Sequence, residues 1–262
     1  MTFGCSPGSD PPADEPVVAP SPSVSLSFLQ YRSDEGTRRA LLRVTNHDDE
    51  VLSPTGIGVD WVGYGGRYRQ DYDTTIAPGQ TLDLRMSLPP PVCADGSGPA
   101  HGLVEVGATT ARSRLDPFGQ AILRQVWRRS CDKEYVGDRL GVALDDTWRR
   151  AGVGRSSYLV GRLDLTRRGG SAEVEVARLR GSVMFDLRLA EPSVLRSGSE
   201  HGWYPVELRP LRCDEHALGQ SSQTFAWRSE LRFHDDELRT VPLVPSLRTQ
   251  VRANALLERA CR

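Results

Sequence analysis

Apolar and polar residues alternate along most of the chain between residues 24 and 131. The alternating runs lie at 24–28, 42–44, 57–61, 82–88 and 104–108. Runs with a period of two residues, bounded by clusters of Gly, Pro, Asn and Asp, are typical of half-buried antiparallel strands. Phe118, Ile122 and Val126 then fall at helical spacing. That spacing predicts a short helix running into Cys131.

Residues 139–262 repeat this plan. Strands are predicted at 140–144, 158–165, 173–179, 183–189, 205–211, 225–233 and 237–243. The turn sequence at 167–170 predicts a hairpin between the second and third of these strands. Leu247, Val251 and Ala255 predict a closing helix before Cys261.

The two halves also place their cysteines alike. Cys93 and Cys213 each follow a strand end that contains proline, and each precedes a polar loop, further strands, a helix and a second cysteine. This pattern indicates an internal duplication at the scale of a domain. Four cysteines allow three pairings, but only Cys93–Cys131 with Cys213–Cys261 closes each repeat on itself. The alternative is four reduced cysteines in a cytosolic protein; the matched placement favours disulfides and an oxidising compartment.

The first 23 residues differ from the rest, because they are almost wholly Ser, Pro, Gly, Asp, Glu, Ala and Val after the first few positions. Such a segment cannot bury enough apolar surface to fold, so residues 1–23 are predicted to be a disordered tether. Thr2-Phe3-Gly4 before Cys5 resembles the end of a lipobox, which predicts lipidation of Cys5. We therefore expect an exported protein, anchored by lipid to the outer face of the cytoplasmic membrane. The alternative is a cytosolic protein with a free thiol in its tail.

The net charge and the composition limit the classes of partner that the chain is expected to bind. The 33 basic and 34 acidic residues give a net charge of −1, so no nucleic-acid partner is expected. No stretch approaches the ~18–20 apolar residues of a spanning helix, so membrane contact is expected only through the lipid anchor. Lys133 is the single lysine, and this skew towards arginine indicates a GC-rich genome.

Three short sequences carry a resemblance to a group of known proteins. They are Leu-Arg-Val-Thr-Asn at 42–46, Ala-Pro-Gly-Gln-Thr-Leu-Asp-Leu-Arg at 77–85 and Leu-Arg-Cys-Asp-Glu-His-Ala at 211–217. In this arrangement the chain resembles the tandem immunoglobulin-like domains of exported proteins and lipoproteins of actinobacteria. The resemblance implies an all-β fold of two tandem immunoglobulin-like β-sandwich domains, each ending in a short helix. The domains would occupy 24–131 and 139–262, with a linker at 132–138.

One segment, 60–72, has the composition of a recognition surface, because aromatic residues, arginine and glycine are mixed in it. The candidate binding residues are Trp61, Tyr64, Arg67, Tyr68 and Tyr72. They could stack on a cell-wall glycan or anchor a surface protein. The alternative is a hairpin that turns at Gly65-Gly66 and packs its aromatic rings into the core. The segment 201–204 is a smaller version of the same kind, with His201, Trp203 and Tyr204.

A catalytic or metal-binding pattern is not evident. A Gly-x-Ser-x-Gly occurs at 4–8, but it lies in the predicted tether and not on a strand-to-helix turn, and the sequence has no P-loop or dinucleotide fingerprint. The trio at 199–201 (Ser-Glu-His), the pair Cys213 and His216, and the His-Asp-Asp-Glu strings at 47–50 and 234–237 are interpreted as turns or as structural residues. We therefore expect no enzyme activity, no cofactor and no metal. The favoured function is a non-catalytic surface binding module; the alternatives are a structural spacer and, third, a cell-envelope hydrolase with an unrecognised site.

Overall fold

The computed structural model describes residues 22–213 and 223–261. Over these residues the chain is mostly β-strand, in several antiparallel sheets, and carries two α-helices. The prediction of a β-rich fold is confirmed at this level. Within the described ranges no helix is long and apolar enough to cross a membrane.

The first half consists of two sheets around one core. Strands β1 (Val24–Leu29), β2 (Arg39–Asn46) and β5 (Thr81–Ser87) form a sheet in the order β1-β2-β5. Strands β3 (Gly56–Trp61), β4 (Gly66–Asp71), β6 (His101–Val106) and β7 (Thr109–Arg114) form the other, in the order β4-β3-β6-β7. Apolar side chains from both sheets meet between them, among them Phe28, Leu42, Val44, Ile57, Val59, Leu84 and Val104. The alternating pattern therefore has its expected cause, since every second residue faces this core.

The second half has the same layered plan with more strands. One sheet contains β8 (Leu140–Leu144), β9 (Arg149–Ala151), β10 (Tyr158–Arg167), β12 (Phe185–Leu189) and β14 (His201–Pro210), in the order β12-β14-β10-β8 with β9 also on β10. The other contains β11 (Val174–Arg180), β13 (Ser193–Leu195), β15 (Trp227–Arg232) and β16 (Leu238–Leu243), in the order β13-β11-β15-β16. Their inner faces share a second core, separate from the first. Because β10 and β11 lie in different sheets, the hairpin predicted at 167–170 is wrong, and this turn crosses between the layers.

Helix α1 (Pro117–Arg139) joins the two halves. Asp116 caps it by accepting a hydrogen bond from the Gly119 N–H, and Pro117 occupies the first turn, where no amide donor is needed. Leu123 and Val126 pack into the first core and Val136 into the second. The helix is therefore long rather than short, and residues 132–138, predicted to be a linker, form its last turns. The reason is that 132–138 packs on the second half through Val136 and Asp132, while the earlier turns of the same helix pack in the first.

Two contacts fix α1 against the sheets. A side chain at Gly119 would place its Cβ 2.6 Å from the Phe28 amide nitrogen, so only glycine lets α1 lie directly on β1. Near the other end, the buried carboxylate of Asp132 accepts a hydrogen bond from the Thr240 N–H of β16 at 3.0 Å. Burial raises the pKa of Asp132 above its usual range.

Both predicted disulfides are present, Cys93–Cys131 and Cys213–Cys261, with Cα separations of 5.6 and 5.1 Å. Helix α2 (Leu247–Ala260) ends beside Cys261, and its N-cap Ser246 accepts a hydrogen bond from the Thr249 N–H. In each half the first cysteine thus precedes two paired strands, β6–β7 or β15–β16, and the second lies in or directly after the helix. This common order is what the duplication predicts.

Helix α2 turns a different face to the core from the one that predicted it, whereas in α1 Ile122 and Val126 face the core as predicted and only Phe118 does not. Phe118, at the start of α1, is 61% exposed, and Leu247 and Val251 of α2 are exposed as well. The buried stripe of α2 is instead Thr249, Ala253, Leu256, Leu257 and Ala260. The helical spacing was correct, but spacing alone does not say which of two apolar stripes meets the sheets.

The Asp132 contact makes a testable prediction for the attachment of α1 to the second half. Asp132→Ala leaves the Thr240 N–H buried without a partner and should lower the free energy of unfolding by about 1–3 kcal/mol. Asp132→Asn keeps a carbonyl acceptor and removes a charge that burial disfavours, so it should unfold at the same denaturant concentration as the parent or higher at pH 7. Urea unfolding of the three proteins measures this. Equal destabilisation by both substitutions would contradict the role given to the hydrogen bond.

Candidate binding surfaces

The aromatic segment at 60–72 lies mainly in the core. Trp61 and Tyr64 are only 3% and 6% exposed. The Trp61 ring meets the rings of Tyr64 and Trp127 edge to face, and its Nε1–H donates to the Ser97 carbonyl at 2.8 Å. Gly65 and Gly66, with φ of 78° and 98°, make the turn that brings the chain back into β4. The prediction that Trp61 and Tyr64 are exposed binding residues is therefore wrong. They fit the alternative, a hairpin whose rings pack into the core.

Strand β4 explains the remaining candidates by alternation. Tyr68 and Tyr72 are half-buried against the first core. The Tyr68 hydroxyl donates to the Ser87 carbonyl at 2.7 Å, and the Tyr72 hydroxyl accepts from the Arg85 N–H at 3.1 Å. Arg67 points the other way and is exposed. The five candidates therefore do not form one surface, because successive side chains of a strand face opposite sides.

On the outer face around Arg67, arginine and acidic side chains pair with one another and neutralise each other's charge. Arg67 and Arg69 both pair with Glu105, at 2.7 Å for Arg67, and Arg69 also pairs with Asp71. The hydrogen bonds from Arg69 hold the pKa of Glu105 below its usual range. Arg112 pairs with Asp60 in the same way at 3.0 Å. Exposed pairs of this kind add little stability and leave no strong net charge for a ligand.

A different aromatic side chain, that of Trp203 on β14, is 68% exposed to solvent. Val206 and Leu208 of the same strand are buried, so Trp203 has the opposite parity and faces outward. The parity of Val206 and Leu208 was readable in the sequence, and extending the predicted strand back to 201 would have identified this exposed position. Tyr204, its neighbour, turns inward and packs on the second core.

Polar groups lie beside Trp203 on the neighbouring strand β10. Asp164 lies directly opposite it on β10, and Thr166 lies opposite His201. Arg162 Nε pairs with Asp164 Oδ1 at 2.9 Å, and Arg162 also pairs with Asp145. On the far side of Asp164, β8 presents the exposed, small side chain of Ala143. The result is an indole ring on an open sheet face beside hydrogen-bond donors and acceptors.

The other chemical candidates do not assemble into a site. His201 is exposed on β14, and the Glu200 carbonyl accepts from the Arg167 N–H. Asp48, in the first His-Asp-Asp-Glu string, accepts from the Ser23 N–H. Cys213 is in its disulfide, and His216 lies outside the described residues. Within the described residues no three His, Cys, Asp or Glu side chains form a group that could hold a metal ion.

The second His-Asp-Asp-Glu string, at 234–237, has a structural role. Asp235 receives two hydrogen bonds from the buried Arg239, at 2.9 and 2.7 Å, and the Glu237 carboxylate receives one at 2.8 Å. The same guanidinium lies 3.7 Å from the centre of the Tyr135 ring of α1. The hydrogen bonds from Arg239 lower the pKa of Asp235 to about 2. This turn therefore helps to hold α1 on the second half.

Comparison with known proteins adds little. No protein-family model matches the chain, and no curated protein matches it. Among solved structures, red sea bream transglutaminase is similar over 85% of this chain and 31% of its own, with 14% identity and a TM-score of 0.28. An exo-chitosanase, CsxA, from Amycolatopsis orientalis covers 85% of this chain and 26% of its own, with 12% identity and a TM-score of 0.23. The BSP domain of a biofilm-associated protein is similar over 88% of this chain and 61% of its own, with 9% identity and a TM-score of 0.24.

The chain thus spans less than a third of the first two proteins. Similarities this low leave both fold and function to be argued from the chain itself.

The Asp235–Arg239 pair predicts a dependence of stability on pH. The pKa of an unfolded aspartate is about 3.9, and in the folded protein that of Asp235 is about 2. The stabilisation from this pair is therefore complete above the unfolded value and is lost as the pH falls through the folded value. Urea unfolding of the parent and of Asp235→Asn should show a difference at pH 6 that shrinks towards pH 2. Asp236→Asn, in the same turn, is the control; a pH-independent difference for Asp235→Asn would contradict the assignment.

Proposed function

We propose that this chain is a non-catalytic binding module that works outside the cytoplasm and holds a glycan against Trp203. Its halves are proposed to be tandem immunoglobulin-like β-sandwiches, each with two sheets around one core and a disulfide of its own. The observation that carries the binding role is the exposed indole of Trp203 on the outer face of the sheet, beside β10. An indole in water is costly to leave uncovered, and its flat face suits the C–H face of a sugar ring.

The surroundings of Trp203 favour a glycan over a protein partner. Sugar hydroxyls both donate and accept hydrogen bonds, and the neighbouring side chains offer both: Asp164 accepts, Arg162 donates and Thr166 does either. A stable protein interface needs roughly 1,200–2,000 Å² of buried surface with a largely apolar centre. On this sheet face Trp203 is the one large apolar side chain that is exposed among the described residues. A protein partner is therefore the less favoured occupant.

The proposed location rests on the cysteines. Both bridges join the late part of one half to its own helix, Cys93 to Cys131 and Cys213 to Cys261. Structural disulfides persist in oxidising environments and are rare in the cytosol. An exported protein fits this, and the tether at 1–23 would hold the two halves away from the membrane. Cys5 lies outside the described residues and stays a predicted lipidation site.

A structural spacer is the second candidate. The buried rings of Trp61 and Tyr64 are what a spacer predicts, and α1 joins the halves without a flexible link. The exposed Trp203 is what a spacer does not need. A hydrolase is third, because it requires a convergent set of acids and nucleophiles that the surface around Trp203 does not assemble.

The glycan role is tested by substitution of the indole. Trp203→Ala should reduce retention on polysaccharide by about tenfold or more, since stacking on one indole contributes on the order of 1–3 kcal/mol to such contacts. The probes are purified peptidoglycan, chitin and cellulose, used in sedimentation assays with the full chain. Phe118→Ala, which removes another exposed aromatic ring, is the matched control. Equal retention of Trp203→Ala and the parent, or no retention of the parent on any polymer, would sink the proposal.

The anchor is tested separately. Mass spectrometry of the protein isolated from its native membrane fraction should show diacylglycerol on the Cys5 sulfur. Cys5→Ser should move the protein to the soluble exported fraction and leave glycan retention unchanged, because the anchor and the proposed Trp203 surface lie in different parts of the chain. An unmodified Cys5 would remove the lipoprotein assignment without touching the binding role.

A further inference from the structure

A cleft of about 620 Å³ lies between the two halves. Its walls come from the turn at 35–38 of the first half, one side of α1, and strands β15 and β16 of the second half. Sites for small molecules have volumes of roughly 300–1,000 Å³, so this cleft has the size of one. It is separate from the sheet face around Trp203, because neither Trp203 nor its neighbours on β10 line it.

Two arginines from different halves of the structure converge on one carboxylate in this cleft. Arg228 Nη2 of β15 lies 2.5 Å from Glu35 Oε2, and Arg129 Nη1 of α1 lies 3.6 Å from the same oxygen. All three side chains are largely buried, with 26–34% of each exposed. Burial, and next the charge of Arg228, lower the pKa of Arg129. One carboxylate therefore faces two guanidiniums, and among the described residues no other acid pairs with either.

The rest of the lining includes a cation, Lys133, two acids, Glu134 and Asp138, and the aromatic ring of Phe225. Lys133 of α1 lines the cleft near the two arginines, and Phe225 and Trp227 form its aromatic side. The two rings meet edge to face, with centres 5.8 Å apart. Trp227 is almost wholly buried, and its Nε1–H has no hydrogen-bond partner in the described structure. Because Trp227 packs in the second core and has the opposite parity to Arg228 on β15, the ring that a ligand can reach is that of Phe225.

We infer that this cleft is a second binding site, which takes a small organic oxyanion, a carboxylate or a phosphate on a flat apolar body. The oxyanion lies between Arg129 and Arg228, and the apolar body lies along the partly exposed ring of Phe225. Guanidinium groups bind carboxylate and phosphate oxygens through paired, charge-assisted hydrogen bonds. Glu35 occupies this position in the unliganded chain and is displaced, in whole or in part, by the ligand.

A purely structural reading of the same contacts is that Glu35 clamps the two halves together. The two interpretations predict different effects of one substitution on ligand binding. If Glu35 is only a clamp, Glu35→Gln weakens the junction and does nothing for a ligand. If Glu35 competes with a ligand oxyanion for the arginines, Glu35→Gln frees both guanidiniums and strengthens binding.

Calorimetric titration of the full chain with benzoate and with phenyl phosphate tests the site. Both compounds carry a flat ring, and the one that binds identifies the preferred oxyanion as a carboxylate or a phosphate. Arg129→Gln and Arg228→Gln should each weaken binding by about tenfold, the loss expected for one charge-assisted hydrogen bond. Glu35→Gln should strengthen it by roughly threefold or more. Arg232→Gln, an arginine of the same strand that pairs with Glu175 away from the cleft, is the matched control and should bind as the parent does.

The outcomes are decisive in both directions. Weaker binding by the two arginine variants together with tighter binding by Glu35→Gln supports the site. The proposal is overturned if neither compound binds, if Arg232→Gln weakens binding as much as Arg129→Gln, or if Glu35→Gln binds more weakly than the parent. Should Arg228→Gln fail to fold, Arg129→Gln still gives the result, because its longer contact to Glu35 contributes less to the junction.

Discussion

The structure depends most on one helix that belongs to two hydrophobic cores. Helix α1 places Leu123 and Val126 in the first core and Val136 in the second. Gly119 lets it lie against β1, while Asp132 and the ring of Tyr135 tie it to β16 and to Arg239. Because the same rigid element completes both cores, each half fixes the orientation of the other. The cleft with Arg129 and Arg228 exists only under this constraint, since its walls come from both halves.

The sequence predicted most of the longer strands that bury aliphatic side chains, and it missed the short β9 and β13 as well as β4 and β7. β8 was predicted at its observed bounds, and β10, β11 and β16 within a residue or two. β4 and β7 were missed because their sequences, Gly-Arg-Tyr-Arg-Gln-Asp and Thr-Thr-Ala-Arg-Ser-Arg, contain no aliphatic residue larger than alanine. These strands form because their neighbours, β3 and β6, need backbone partners, which is a property of the sheet and not of the segment.

The candidate site was predicted less well, for a reason of the same kind. Composition identified 60–72 as rich in aromatic rings, but composition does not distinguish a ring in the core from one on the surface. The alternation that buries Tyr68 and exposes Arg67 also exposes Trp203, and it could be read from Val206 and Leu208. The cleft could not be predicted at all, because Glu35, Arg129 and Arg228 are brought together only by the packing of α1.

The absence of a loop between the halves has a consequence for how the protein meets peptidases. Proteolytic enzymes bind their substrates in extended form, and they cut preferentially at exposed tips and flexible connections. At the junction of the two halves the backbone is helical from Pro117 to Arg139, and it passes directly into β8. The junction, which in many two-domain proteins is the first place to be nicked, is here among the segments least open to cleavage. A protein built this way is expected to remain in one piece where peptidases are present.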